Sequence, residues 1–333
     1  MMKTNSIDFK EIFSKKKVVL APMAGITSFA YREFYRQFGI GLTYSEMISD
    51  CGLIYQNAET TKLLYTNNKE SLFAVQLFGG NKENLVKAVK ILESMPIKYD
   101  ILDLNLACPV YKVTRNNGGS SWLKSPTALE ELLVAIVEAS SKPVSCKIRL
   151  GWDDNSINVY EIATMAEKAG VALLAVHVRT AKQGYTGLAQ YEKIKDLKKY
   201  INIPFIVSGD IFSVENAKKA IEITGADAVM LARGGIGNPL LALEINNALT
   251  NSKPVEICRD FATQKKFLTQ YMELLIEEKG EELAIRLLRG IAPKFFSSFP
   301  NSKNIRKDLS SHIVTKQDVL DILNHYETCE SLK

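Results

Sequence analysis

The chain has 333 residues, 46% of them hydrophobic, which is enough for one large domain or two smaller ones. Its net charge of +5 is mild and selects no partner by itself, so only the local distribution of charge is informative. No run of about 18 uncharged apolar residues occurs, which argues against a transmembrane helix.

The N-terminal stretch MMKTNSIDFKEIFSKKK lacks the apolar h-region of a secretory signal, so a cytoplasmic protein is expected. Cys51, Cys108, Cys146, Cys258 and Cys329 are scattered and form no C-x-x-C pair. That pattern argues against a metal site and against a disulfide framework.

Taken in chain order, strands are predicted at residues 17–22, 42–47, 72–78, 101–105, 144–149, 173–177, 205–207 and 228–231. Helical periods lie between them. Leu85, Val86, Val89 and Leu92 form one; Leu129, Leu132, Leu133, Ile136 and Val137 form another, after the start signal Ser125-Pro126. A further helix opens near Asn238-Pro239. Eight strand–helix alternations in about 240 residues predict an α/β fold, a (β/α)8 TIM barrel. An open doubly wound sheet is the alternative, but its G-x-G-x-x-G signature after the first strand is absent.

From about Asn251 the strand signals stop, and helices are predicted over 257–279, 281–298 and 317–325. The expected division is a catalytic barrel at 1–250 and a small all-helical domain at 251–333. Between Arg286 and Lys316 the helical part carries Arg286, Arg289, Lys294, Lys303, Arg306, Lys307 and Lys316 against a single acid, Asp308, with Phe295, Phe296 and Phe299 interleaved. Charge runs usually only solubilise a face; the sharper reading is a surface for a phosphate backbone.

Side chains alternate along a strand, and both faces of a barrel strand are buried. In the third predicted strand Ala74, Gln76 and Phe78 share a face, and in the fourth Ile101, Asp103 and Asn105 do. In the fifth, Ser145, Lys147 and Arg149 oppose Val144, Cys146 and Ile148. In the sixth, Ala175, His177 and Arg179 oppose Leu174, Val176 and Val178. One inward lysine can be a structural ion pair. Polar sets on four strands, near the ends where barrel sites are built, predict a pocket among Gln76, Asn105, Lys147, Arg149 and His177.

The seventh and eighth strands end in Ser208-Gly209-Asp210 and Ala232-Arg233-Gly234-Gly235. Barrels often hold a phosphate there, on backbone N–H groups and a cation. A phosphate at one end and a flat polar pocket in the middle suggest flavin mononucleotide (FMN), with Gln76 bonding a flavin edge and Lys147 stabilising the reduced ring.

Six segments in order, APMAGITSFAYR from Ala21, VQLFGG from Val75, DLNLACPVYKVTRNNGGS from Asp103, KIRLGWDD from Lys147, HVRTAKQGYTGLAQY from His177 and SGDI…GADAVMLARGGIGNP from Ser208, resemble the tRNA-dihydrouridine synthases. The basic segment after KV and the stretch RLLRGIAPKFF look most like the bacterial B-type branch. The resemblance implies an FMN enzyme that reduces the C5–C6 double bond of selected tRNA uridines with NADPH.

By the same resemblance Pro22, Met23 and Ala24 would line the flavin, and Gln76 and Lys147 would contact its ring. His177 would sit beside flavin or base, and Ser208, Gly209, Asp210, Ala232 and Arg233 would hold the ribityl-phosphate end. Asn105 and Arg179 would meet the target nucleotide, where Arg149 is also expected from its inward place in the pocket, and Cys108 would be the general acid. Lys112, Arg115 and Lys124, with the basic run that includes Arg286 and Arg289, would grip the tRNA backbone. A monomer without a metal is expected. Three positions depart from the family pattern: Ala107 and Ala232 stand where glycine is usual, and Ser208 where asparagine is usual.

Hydride addition at uracil C6 leaves an enolate-like charge that must be protonated at C5. A thiol is an acid only while protonated, so a pKa near its ordinary ~8.5 suits the task. Free cysteines are usually inert buried hydrophobes, the expectation for Cys51, Cys146, Cys258 and Cys329. Rival readings are a small-molecule FMN oxidoreductase of the dihydroorotate-dehydrogenase kind and a non-catalytic RNA-binding factor on a flavin-free barrel.

Overall fold

The computed structural model describes residues 7–67, 70, 72–250, 257–297, 299 and 302–330, with side chains to residue 328. Nine parallel strand segments form one sheet: β1 (Val18–Leu20), β2 (Thr43–Tyr44), β3 (Ile48–Ser49), β4 (Phe73–Phe78), β5 (Ile101–Asn105), β6 (Val144–Arg149), β7 (Leu173–His177), β8 (Phe205–Ser208) and β9 (Ala228–Leu231). Each of β4 to β8 pairs with its successor, and β9 returns to β1. A bridge between Val19 and Leu42 closes the ring, with Leu20 N donating to Leu42 O at 2.9 Å. The protein is a TIM barrel.

The second stave differs from its prediction. The expected strand 42–47 is two short pieces, β2 and β3, both paired with β4. The break falls where side chains take over from the backbone ladder. Ser45 Oγ accepts from Gln76 N at 2.9 Å, and Glu46 turns its carboxylate to Gly25 N.

Two apolar sets follow from the alternation. Val19, Leu42, Tyr44, Ala74, Ile101, Ala175, Ile206 and Met230 point into the barrel and pack with Phe9 and Phe13 of the helix Phe9–Lys15. Leu20, Val75, Leu104, Cys146, Ile148, Val176, Val207 and Leu231 point outward, under the surrounding helices. Those helices include Lys82–Ser94, Pro126–Ala139, Val159–Lys168 and Val214–Thr224. Leu129, Leu132, Leu133 and Ile136 are fully buried on one stripe of Pro126–Ala139. Each such leucine contributes roughly 1.5–3 kcal/mol on transfer from water. Proline at the first turn costs that helix no hydrogen bond.

Beyond the barrel the chain is helical: Phe261–Lys279, Glu281–Ile291, Lys303–Ser311 and Lys316–Glu330. The expected junction at 250/251 borders residues 251–256, which lie outside the described residues. The helix expected over 281–298 ends at Ile291, because Pro293, which has no N–H to give, sits in a 3-10 turn over Ala292–Phe296. Lys303–Ser311 escaped prediction because only Ile305 and Leu309 give it an apolar stripe. Phe267, Tyr271 and Phe295 pack on Phe34 of the barrel helix Phe29–Arg36, and Phe267 meets Phe38 at 5.1 Å between rings. Among the described residues no helix is long and apolar enough to cross a membrane.

Candidate active site

A cavity of about 1210 Å³, counted to its open mouth, lies at the C-terminal ends of the strands. Its walls include Pro22, Met23 and Ala24 after β1, Asn105 and Cys108 from β5 onward, Lys147 and Arg149 on β6, and His177 on β7. Ser208, Gly209 and Asp210 after β8, and Ala232 and Arg233 after β9, complete them. The structure therefore brings together thirteen of the expected site residues. Met47, Val110, Tyr185 and Phe212 also line the cavity and were not anticipated. Tyr185 lay inside the quoted HVRTAKQGYTGLAQY segment, where its aromatic character at a barrel mouth was the available signal.

Gln76 is fully buried beneath these walls rather than among them. Its Nε2 donates to Asp103 Oδ2 at 2.6 Å, and its Oε1 accepts from Asn105 Nδ2 at 2.8 Å. Ser145 Oγ donates to the other oxygen of Asp103. Burial pushes the Asp103 carboxyl up to about 6, with the Ser145 and Gln76 hydrogen bonds and the Lys147 charge opposing, so it is ionised at neutral pH. Asn105 lines the cavity, but its amide is committed to the protein. Its Oδ1 accepts from Ala107 N at 3.1 Å and Cys108 N at 2.9 Å.

The Lys147 ammonium has no hydrogen-bond partner among the described residues. Burial, then the neighbouring Arg149, brings its pKa from 10.5 down to about 8. His177 lies well below the usual histidine range because it is buried and faces Lys147, Arg149, Arg179 and Arg233. It is therefore neutral, and its Nε2 is buried without a partner. An unpaired ammonium and an orphaned imidazole nitrogen in one electropositive cavity fit a bound group that is anionic and rich in hydrogen-bonding atoms.

Cys108 is held from both sides of its loop. Its N–H is bound by Asn105, and its carbonyl accepts from Ser120 N and Ser120 Oγ, each at 3.0 Å. Gly119 makes that closure possible: φ is +56°, and a Cβ would lie 2.6 Å from the Cys108 carbonyl oxygen. Burial pushes the thiol up, and a hydrogen bond from Val110 N–H with the charges of Lys147 and Arg149 offsets this only in part. Cys108 is thus a protonated thiol in the cavity wall. Cys146 faces the outer core and Cys51 and Cys258 are exposed, while the side chain of Cys329 lies outside the described residues.

Two expected substrate contacts act as braces. Arg149 donates to Ala107 O at 2.7 Å, Thr180 O at 2.9 Å and Gly184 O at 2.8 Å. Arg179, off the cavity wall, holds Thr186 O and Gly187 O and pairs with Asp210 at 2.7 Å. Asp210 accepts in turn from Ala189 N at 2.9 Å, and Arg233 Nη2 stands 3.5 Å from its Oδ1. The half-exposed Arg233 guanidinium also lies 5.2 Å from the Tyr185 ring centre and 5.6 Å from that of Phe212. A cation so held beside the Gly209 and Gly234 backbones suits a phosphate.

Lys112 and Arg115 are exposed at the short helix Tyr111–Thr114 and its end, outside the cavity. Lys124 stacks its ammonium on Trp152, 3.5 Å from the ring centre. Arg286 is exposed, whereas Arg289 donates through Nε and Nη2 to Ile313 O. Among the described residues no cluster of His, Cys, Asp and Glu is placed to hold a metal ion.

The family model described as Dihydrouridine synthase (Dus) matches residues 19–331. A probable tRNA-dihydrouridine synthase of Rickettsia conorii is 34% identical over 290 residues, which is 87% of each chain. tRNA-dihydrouridine synthase B of Pasteurella multocida is 35% identical over 276 residues, 83% of this chain and 82% of the relative. Histamine dehydrogenase from Rhizobium sp. 4-9 shares the fold, with a TM-score of 0.52 and 15% identity over 78% of this chain and 49% of that one.

Proposed function

The chain belongs to the dihydrouridine synthase family, and from that premise we propose that it reduces selected tRNA uridines to 5,6-dihydrouridine, with FMN as immediate reductant and NADPH as the source of electrons. The observation that carries the reading is a protonated thiol, Cys108, in the wall of a cavity that also holds an unpaired lysine and an orphaned imidazole nitrogen.

The residues present fit a flavin mononucleotide. Arg233 and the Gly209 and Gly234 backbones would take the phosphate, Lys147 and His177 the polar edge of the ring, and Pro22, Met23 and Ala24 its flank. When bound and reduced, FMN supplies the hydride that adds to uracil C6. Cys108 holds the proton for C5, and burial keeps that proton in place until the developing charge on the base draws it off. Lys147 offsets negative charge in the cavity, and neutral His177 offers hydrogen bonding without adding a further cation. Arg149 keeps the loops after β5 and β7 together, and with them the walls on either side of the base.

A uridine in folded tRNA must leave its stack to enter such a cavity. We assign the grip on the backbone to exposed cations: Lys112 and Arg115 beside the mouth, and Arg286, Lys294, Lys303, Arg306 and Lys307 on the helical segment. The experiment that tests the whole reading maps dihydrouridine in RNA from cells lacking the protein, alongside unmodified tRNA incubated with purified protein and NADPH. Loss of the base at defined positions in the first, and its appearance in the second, is expected. Unchanged dihydrouridine in both would overturn the reading.

A further inference from the structure

The floor of the cavity has a direction. Starting from the fully buried Asp103, Oδ2 accepts from Gln76 Nε2, Gln76 Oε1 accepts from Asn105 Nδ2, and Asn105 Oδ1 accepts from the backbone N–H groups of Ala107 and Cys108. Every one of these contacts is 2.6–3.1 Å long. An ionised carboxylate can only accept, and a backbone N–H can only donate. Two amides strung between those ends therefore have one orientation that satisfies all links. Reversing either amide would face donor against donor or acceptor against acceptor, at the full cost of unmade buried hydrogen bonds.

We propose that Asp103 is a positioning residue for the reaction: through the amides of Gln76 and Asn105 it sets the polarity of a buried relay that holds the Cys108 backbone, and so fixes where the thiol sits in the cavity wall. The inference rests on the reading of Cys108 as proton donor for its significance, though not for its geometry. Ser145 anchors the near end by donating to Asp103 Oδ1, and Ser120 secures the far side of Cys108. Met47 Sδ lies 3.0 Å from Asn105 Nδ2 and takes its other donor direction, which leaves that amide no reason to turn.

The polarity can be tested by moving the acceptor. Gln76→Glu sets two carboxylates face to face and, at a pH above the range in which they share a proton, disrupts the relay. Adding Asp103→Asn restores a single direction: the new Asn amide donates to the Glu, Asn105 Nδ2 still donates to it, and Asn105 Oδ1 still receives Cys108 N–H. Two readouts separate positioning from general stability. One is the rate of Cys108 alkylation by iodoacetamide relative to that of exposed Cys51 in the same molecule, followed by peptide mass mapping. The other is the division of the effect between kcat and KM for tRNA.

Gln76→Glu should raise the Cys108/Cys51 alkylation ratio about fivefold and lower kcat about tenfold with KM little changed; the double variant should recover most of both. Asp103→Ala, which removes the anchor, should behave like Gln76→Glu. A double variant no better than Gln76→Glu overturns the proposal. So does a folded Asp103→Ala protein with wild-type ratio and kcat. If Asp103→Ala does not fold, the Gln76→Glu pair of proteins decides alone. Wild-type protein that makes no dihydrouridine would refute the reaction, while the alkylation ratio would still report on the relay.

Discussion

Gly237 and Lys294 meet backbone to backbone: a Cβ on Gly237 would lie 2.3 Å from the Lys294 carbonyl carbon, and its φ of +70° is one that side chains avoid. Gly237 ends the loop that carries Arg233 into the cavity, and Lys294 belongs to the turn Ala292–Phe296 of the helical segment. Arg259 adds a second tie by donating to Asn238 Oδ1 at 2.8 Å, while Tyr35 of the barrel helix holds the same loop from the other side by donating to Gly235 O. The anion end of the cavity is therefore built against residues from beyond the barrel.

Replacing Gly237 by alanine should lower the unfolding free energy by about 1–3 kcal/mol through strain and collision. It should also weaken FMN binding while leaving riboflavin, which lacks the phosphate, nearly unaffected. Thermal denaturation and flavin titration of the two ligands measure both effects. Equal loss for FMN and riboflavin would contradict the assignment of this end to the phosphate.

Cys108→Ala removes the acid and leaves the remaining walls in place. The variant should bind flavin, accept electrons from NADPH, and make dihydrouridine at least about a hundredfold more slowly, the usual scale for losing a general acid. Single-turnover assays of pre-reduced protein with tRNA report this directly.

Lys147 gives a pH dependence whose sign can be worked out. Its folded pKa of about 8 lies below the 10.5 of an ordinary lysine. Below pH 8 both folded and unfolded chains hold the proton, and the cost of burial is fully present. Between about 8 and 10.5 the unfolded chain binds more protons, so this group's contribution to stability rises with pH across that window. Lys147→Met should therefore raise Tm near pH 7, by an amount equivalent to about 2–3 kcal/mol, with the gain shrinking toward pH 10. The affinity of the wild-type cavity for an anionic ligand should fall as pH rises through 8.

Arg286 and Arg289 are one helical turn apart and should behave differently. Exposed Arg286 is assigned to tRNA, so Arg286→Ala should weaken binding and reduce the slope of log K against log salt by about one. Arg289 ties Ile313 O, so Arg289→Ala should lower Tm. Filter binding across a salt series, paired with calorimetry, separates the two.

The barrel was legible because period-two alternation is enforced wherever both strand faces are buried. Ile148 and Val176 could only go outward if Lys147, Arg149 and His177 went inward, and the two apolar sets divide along that line. The break between β2 and β3 was not legible, since it depends on Ser45 and Glu46 finding partners on Gln76 and Gly25. Nor were the roles of Arg149 and Arg179. Both are held by loop carbonyls, and residue types alone do not say where a loop's carbonyls point. Asp103 shared a face with Asn105 in the sequence, yet its link to the cysteine loop appears only when the amide directions can be followed.

The burial that keeps Cys108 protonated also makes it chemically quiet. Peroxide and disulfides react with thiolates, so a thiol that holds its proton and shows only 9% of its surface is a poor target for either. Partial burial and Asp50 push the Cys51 thiol up as well, but Cys51 and Cys258 face solvent, so under oxidative stress they would be attacked first. The proton donor would outlast them, surviving oxidation through the burial that also keeps its proton ready for a base.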